Sequence, residues 1–321
     1  MRNFFIFIVL SIVILTNTGC EEDFSPRTTY KERYILNCII RGDTSLQTAT
    51  LAHTYNVEGY DPYVNTEDPF IGGADIRIWH KDDVYFFHDS TIDRTDTSRY
   101  NAPMKFYYNN NFKPGTDDPI EIRAVLPSGK ILRGFSKLPK PVKFDLINSD
   151  KRIPSQENPD FRFIWQSNTS ITWYLARLQL YYYKIENGVQ VRKSIEVPAK
   201  YVLENGVWTT VYPKPSRTNR ALFSNAALDY VMNKISEGDL NKSDYTILGA
   251  VLELLIFDEN LSKYYSSLNG FLDDYTIRVD QADYTNIDGG FGIFASYIKQ
   301  QSGAGLEPEY VLSFGYKSNI P

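Results

Sequence analysis

Apolar residues recur at every second position along several short stretches of this chain, and that alternation predicts half-buried β-strands. Ala74, Ile76 and Ile78 share one face of a stretch in which Asp75 and Arg77 take the other. Ile120, Ile122 and Ala124 alternate with Glu121 and Arg123 in the same way. Strands are therefore expected at Tyr34–Ile40, Thr48–Tyr55, Ala74–His80, Val84–His88, Ile120–Leu126 and Ile131–Phe135. Lys81-Asp82-Asp83 and Pro127-Ser128-Gly129-Lys130 are polar turns between them, so 74–88 and 120–135 read as hairpins.

Longer strands follow. Phe161–Trp165 alternates, Thr172–Tyr183 is rich in aromatics, and Asn187-Gly188 turns the chain back into Val189–Val197. Pro198–Asp244 is too long for a simple connection. It holds an Asn205-Gly206 turn and a helix at Asn225–Glu237, where Ala226, Leu228, Val231, Met232 and Ile235 fall close to helical spacing and Gly238 ends the run. Tyr245–Phe257 is a continuous apolar run expected to be a buried central strand. After Asp258-Glu259-Asn260, Leu261, Tyr264, Tyr265 and Leu268 recur at i, i+3, i+4 and i+7, which predicts a short helix closed by Asn269-Gly270. Phe291–Lys299 and Tyr310–Phe314 are read as a last strand pair.

The expected class is mainly β, with two β-sandwich domains. Pro139 and Pro141 remove backbone donors and favour an extended linker, so the domains divide as 30–141 and 142–321. The Gly73-Ala74 strand, the later Pro114-Gly115 turn and the 120–135 hairpin resemble immunoglobulin-like or transthyretin-like sandwiches. In the second domain, a Trp-bearing strand followed by a long strand ending in tyrosines resembles the fibronectin type III arrangement, with a helical insertion.

The first residues carry a different pattern. After Arg2 the chain is apolar from Phe4 to Leu15, broken only by Ser11, and then reads Thr16-Asn17-Thr18-Gly19-Cys20. A basic start, a short apolar stretch and small residues before a cut site describe a secretory signal over residues 1–19, too short to span a bilayer. A cysteine directly after two small residues resembles the bacterial lipobox, although Asn17 stands where leucine is usual. Cys20 is expected to become an acylated N-terminus that holds the folded part at a membrane. Residues 20–29 form the tether. Glu21, Glu22 and Asp23 resemble the acidic export signal of Bacteroidota surface lipoproteins, which implies the outer membrane and its outer face, with the periplasmic face as the alternative.

Composition narrows the partners. Of 34 basic residues Arg2 leaves with the signal, so the remainder carries a net charge of −6 against 39 acidic residues. That argues against nucleic acid, which needs a basic patch. The 24 tyrosines and 19 phenylalanines are first of all evidence for strands, and secondly suit contacts with sugars or proteins. Cys38 lies in an apolar strand and is expected to be a buried hydrophobe rather than a reactive thiol.

Several stretches together resemble one family. They are the acidic lipoprotein start, the strand Tyr34–Ile40, Phe112-Lys113-Pro114-Gly115, the Leu138-Pro139 exit and Tyr264-Tyr265-Ser266-Ser267-Leu268. The most specific is Asn286-Ile287-Asp288-Gly289-Gly290-Phe291-Gly292-Ile293-Phe294. The chain resembles the two-domain Bacteroidota envelope lipoproteins carried as domain of unknown function 4249. The resemblance implies an envelope protein often encoded beside TonB-dependent outer-membrane transporters, and it implies no catalytic residues. Without the family, Gly289, Gly290 and Gly292 read as positions of close backbone approach, or alternatively as a loop whose amides hold an anion.

Candidate chemistry is sparse. His80 and His88 flank the 74–88 hairpin and would need Asp82, Asp83 or Asp89 to complete a metal site, while His53 stands apart. Asp117-Asp118 and Asp273-Asp274 are further acidic pairs without a calcium-loop pattern. Arg41-Gly42-Asp43 matches an adhesion tripeptide but sits where a tight turn is expected. No metalloprotease, nucleophile-elbow, P-loop or dinucleotide motif occurs. No catalytic residue, metal or cofactor is assigned. The expectation is a non-enzymatic binding or accessory lipoprotein that assists uptake through an outer-membrane transporter. The alternatives are an envelope glycan-processing enzyme with dispersed carboxylates and a structural or adhesive surface protein.

Overall fold

Alternation becomes one-sided burial. Along Ile131–Lys137 every second side chain is buried, and Tyr34–Arg41 behaves in the same way from Leu36 onward. The computed structural model describes residues 30–57, 61, 64–98, 100–269 and 284–319. The first strands are β1 (Tyr34–Arg41), β2 (Gln47–His53), β3 (Asp75–His80), β4 (Asp83–Phe86), β5 (His88–Ile92), β6 (Met104–Asn109), β7 (Pro119–Val125) and β8 (Ile131–Lys137). Next come β9 (Arg152–Ile153), β10 (Asp160–Ile164), β11 (Tyr174–Glu186), β12 (Val189–Val197), β13 (Lys200–Glu204), β14 (Val207–Val211) and β15 (Arg220–Ser224). The last are β16 (Tyr245–Phe257), β17 (Ile287–Asp288), β18 (Phe291–Leu306) and β19 (Lys317–Ser318). Among the described residues three α-helices join them: α1 (Asn225–Ile235), α2 (Glu259–Asn269) and α3 (Pro308–Ser313). The fold is mainly β, with several sheets and few helices. Among the described residues no helix is long and apolar enough to cross a membrane.

The expected sandwiches share a sheet. A ten-stranded sheet runs β12-β11-β16-β18-β1-β2-β6-β5, with β19 beside β16 and β9 beside β18. Its seam is a parallel pairing of β1 with β18, which brings Cys38 opposite Phe294. A five-stranded sheet, β17-β8-β7-β3-β4, faces the N-terminal part, and β17 joins it from the far end of the chain. One hydrophobic core therefore contains Leu36 and Ile40 of β1, Ile76 of β3, Ile122 of β7 and Leu252 and Leu254 of β16. The prolines at 139 and 141 follow β8, but hydrogen bonds and core both continue past them. A second, smaller cluster of Trp173, Phe257, Leu261, Ile293 and Ala295 lies under α2. The end of β16 and the start of β18 are thus covered on both faces, whereas along the rest of β16 buried residues alternate with half-buried ones.

Three elements depart from expectation. The expected strand Val84–His88 is split. Phe87 is buried, its amide bonds the Ile76 carbonyl at 2.9 Å, and the chain passes there from β4 in the five-stranded sheet to β5 in the ten-stranded one. Tyr310–Phe314 is not a strand. Pro308 at the first turn presets helical φ, and α3 forms instead, with the Tyr310 hydroxyl donating to Asp229 on α1 at 2.8 Å. The strand beginning at Phe291 continues to Leu306, well beyond Lys299, because β16 pairs with it as far as Ala304. The helix around 225–237 is present and slightly shorter: Ser224 caps it through Ala227 N, and Leu228, Val231, Met232 and Ile235 are buried.

Candidate functional site

The β13–β14 hairpin stands apart from the large sheets and pairs only with itself. Asn205 and Gly206 take φ of 52° and 81°, the left-handed pair that a two-residue hairpin turn of this kind requires. That geometry sets Tyr201 and Trp208 on one face. Their rings stack at 4.9 Å, and the other face of Tyr201 stacks on Tyr230 of α1 at 4.5 Å. The outer ring of this ladder, Trp208, is 57% exposed, and Leu203, Val207 and Tyr212 beside it on the hairpin are also exposed. A flat aromatic held by a second ring from behind is a rigid surface for a sugar ring or an apolar side chain.

A cleft of about 360 Å³ lies where β8, the 139–141 linker, the 168–172 loop and α2 meet. Asp117, Lys137 and Lys140 line one side, with Lys137 and Lys140 at 2.7 and 3.3 Å from the Asp117 carboxylate. The bond from Lys137 holds the Asp117 carboxyl below the usual carboxylate range. Asp258 forms part of the wall and is itself buried. It accepts from the Ser136 hydroxyl at 2.6 Å and from the Leu261 amide at 2.7 Å, so it also caps α2. Burial pushes its pKa up to about 6, against the opposing hydrogen bonds from Ser136 and the Leu261 amide. Those donors account for the carboxyl as a structural group.

Most residues singled out in the sequence have structural partners. Cys38 faces the core, and burial raises its thiol pKa, which keeps it protonated and inert. His80 lies 3.0 Å from Asp118 and edge-on to Phe112, whereas His88 begins β5 in the other sheet and meets Tyr108. His53 bonds the Thr54 carbonyl. Asp82 lies in the β3–β4 turn, Asp83 opens β4, and Asp89 is exposed on β5. Asp117 and Asp118 turn to different cations, Asp118 to His80 and Lys81. Among the described residues, no group of three His, Cys, Asp or Glu converges as a metal site. In Arg41-Gly42-Asp43 the two charges pair with each other at 3.1 Å, Lys299 adds a contact at 3.5 Å, and a Cβ on Gly42 would sit 2.8 Å from Ile298. The tripeptide is a closed turn.

The glycine motif is a packing corner. A Cβ at Gly290 would lie 2.6 Å from the Tyr34 carbonyl, and one at Gly292 would lie 2.1 Å from the Leu36 carbonyl. Asn286 completes it, bridging Phe135 O and Phe294 O through its Nδ2 and accepting from Phe294 N. Nearby Lys130 and Arg33 lie over the rings of Tyr34 and Phe291. Cys20, Glu21, Glu22, Asp23 and the Asp273-Asp274 pair lie outside the described residues. Sequence reasoning missed the aromatic ladder: Asn205-Gly206 announced the turn, but nothing in the order of residues marks which face of a small hairpin stays open. In comparisons with known proteins, no family model matches the chain and no curated protein matches it.

Proposed function

We propose that this protein is an outer-membrane lipoprotein, anchored through Cys20, that captures a ligand without transforming it and assists uptake through a TonB-dependent transporter. The observation that supports binding is the Trp208–Tyr201–Tyr230 ladder, whose outer ring is presented to solvent on a hairpin free of other strands. The address rests on the sequence around Cys20 and the acidic run Glu21–Asp23. The charge balance disfavours nucleic acid as a partner.

A tagged full-length protein, recovered from detergent-solubilised outer membranes, tests the accessory role. Stoichiometric recovery of a transporter is the expected result. Failure to recover one, combined with retention of a defined glycan on an array, moves the role to direct glycan capture. The anchor is tested separately: Cys20→Ala should release the protein into the soluble fraction, and its persistence on membranes would overturn the lipid assignment.

A further inference from the structure

The outer face of the five-stranded sheet carries a row of like charges. Alternation turns Ile76, Ile122 and Leu132 into the core, so Arg77 on β3, Arg123 on β7 and Arg133 on β8 take the opposite face. The register sets Arg133 directly opposite Arg123 and Arg123 directly opposite Arg77, with Phe86 of β4 next in line. Like charges opposed on neighbouring strands weaken a sheet, so folding alone gives no reason for the row. Of the three, Arg77 alone is neutralised: it pairs with Asp75 and lies over the Phe86 ring at 4.8 Å. Among the described residues Arg123 and Arg133 close no ion pair, although Asp288 stands opposite Arg133 in register and Glu121 lies two residues from Arg123. A cavity of about 160 Å³ opens over the row, lined by Arg77, Trp79 and Arg123 together with Asp75 and Val125. The same face exposes Phe86 and Phe135, with Val84 and Ile131.

One corner of this sheet is where the chain departs toward Cys20. Lys130 immediately precedes β8 and lies 5.0 Å over the Tyr34 ring, and Arg33 lies 5.1 Å over Phe291. A cavity of about 300 Å³ there is lined by Lys31, Arg33 and Lys130 among others. Its one acidic residue, Glu32, is already engaged by His53 at 3.4 Å and by the Tyr34 hydroxyl at 3.2 Å. Tyr30 is ten residues from Cys20, a span of at most about 36 Å even when fully extended. A chain anchored at Cys20 therefore keeps this corner close to the bilayer, and the corner is basic in a chain whose net charge is −5.

We propose that the open face of the five-stranded sheet, from the Arg77–Arg123–Arg133 row to the Lys31–Arg33–Lys130 corner, rests on the phosphate headgroups of the membrane that holds Cys20. Guanidinium groups match phosphate through parallel donors, and exposed Phe86 and Phe135 suit the boundary between headgroups and acyl chains. A few cations at a screened surface bind weakly, so the face orients a protein that the lipid retains and does not replace the lipid. Cys20→Ala is still released at cellular salt. The inference rests on the anchor proposed above for its purpose, and its test leaves the anchor out so that the two can fail separately.

The test is co-sedimentation of the chain from residue 20 onward, carrying Cys20→Ala, with vesicles of phosphatidylcholine alone or mixed with phosphatidylglycerol. At low ionic strength the protein should sediment with the mixed vesicles and stay free of the neutral ones, and concentrated salt should release it. Arg123→Gln and Arg133→Gln should each weaken that binding about fivefold, the loss expected for one basic residue at an anionic surface. Lys200→Gln, an exposed cation on the β13–β14 hairpin, removes the same charge and should leave binding unchanged. Both arginine variants should melt no earlier than the parent, because each relieves a like-charge opposition. Lys31→Gln, which lies before the first strand, carries the same fivefold expectation without touching the sheet. Absence of binding to the mixed vesicles overturns the proposal, and so does an equal loss from Lys200→Gln. Retention on a sulfated polysaccharide without vesicle binding would make the face a glycan site and overturns it as well. None of these outcomes bears on whether Cys20 is acylated, which release of Cys20→Ala from cell membranes decides.

Discussion

Gly292 and Gly206 both sit at positive φ, at 108° and 81°, and both neighbour aromatic strands. Around Gly292 the backbones of β1 and β18 approach so closely that a Cβ would fall 2.1 Å from the Leu36 carbonyl. Around Gly206 nothing lies within 4 Å of that position. The first glycine stands in the stretch that most resembles a motif, and its place is a buried corner that locks the last long strand onto the first. The second stands in a two-residue turn of ordinary composition, and beside it is the most exposed aromatic ladder described. Motif-like sequence here marks tight packing, and the surface suited to recognition carries no motif. Backbone crowding constrains residue identity strictly, whereas an open aromatic face asks only for a flat ring and a support behind it.

That contrast can be broken by changing the two glycines alike. Gly292→Ala should cost more than about 4 kcal/mol, since both the positive φ and the carbonyl contact oppose a Cβ. The parallel β1–β18 pairing is the element it disrupts, and denaturant unfolding should show a large fall in midpoint or no folded protein at all. Gly206→Ala meets only the left-handed strain, about 1 kcal/mol. Equal costs at the two positions would mean that the corner yields easily and that the comparison has no physical basis.

Asp258 lies near the same corner, bonded to Ser136 on β8, which also meets Ser296 on β18. Its pKa is raised from 3.8 to about 6, so its contribution to stability is fully present below pH about 4 and is lost as pH rises through about 6. At pH 7 the ionised group costs about 3 kcal/mol relative to a carboxyl with its ordinary pKa. Asp258→Asn cannot ionise. The stability difference, variant minus wild type, should therefore move in the variant's favour by up to about 3 kcal/mol between pH 4 and pH 7. Asp117 and Asp118, whose pKa values are lowered, lose their contribution as pH falls, but they are common to both proteins and cancel. A pH-independent difference would show that water reaches Asp258 and that the corner is less closed than its burial indicates.

Local patterns were legible wherever one element settles its own fate. Tyr245–Phe257 is bounded by Asp244 and Asp258 and buried along one whole face, so its limits follow from composition alone. The helix at 225–235 announces itself through its spacing and through Ser224. Tyr310–Phe314 misled because its aromatic and branched residues favour strands, while the deciding residue, Pro308, lies just before it. β5 is polar enough to be overlooked, and its departure from β4 depends on Phe87 burying itself, which alternation does not encode. The parallel β1–β18 seam joins residues some 250 apart in the chain, and no local signal expresses such a pairing. The site was hidden for a related reason. Trp208, Tyr201 and Tyr230 become one surface only when the hairpin lies against α1.

The smallest effect on stability and the sharpest on recognition are expected from the same substitution. Trp208→Ala removes a ring that is already 57% exposed, so little buried area is lost. What remains is its stack on Tyr201, worth about 1 kcal/mol or less. Tyr201 still has Tyr230 behind it, so the hairpin should keep its place and the unfolding midpoint should barely move. Retention of the ligand or transporter, by contrast, should fall severalfold, because the solvent-facing member of the ladder is gone. Tyr230→Ala reverses the balance: it removes the support and should loosen the hairpin, lowering stability more while leaving Trp208 on the surface. If Trp208→Ala unfolds the protein, or if it leaves retention untouched, the ladder is a structural device like the glycine corner, and the binding surface must be sought elsewhere.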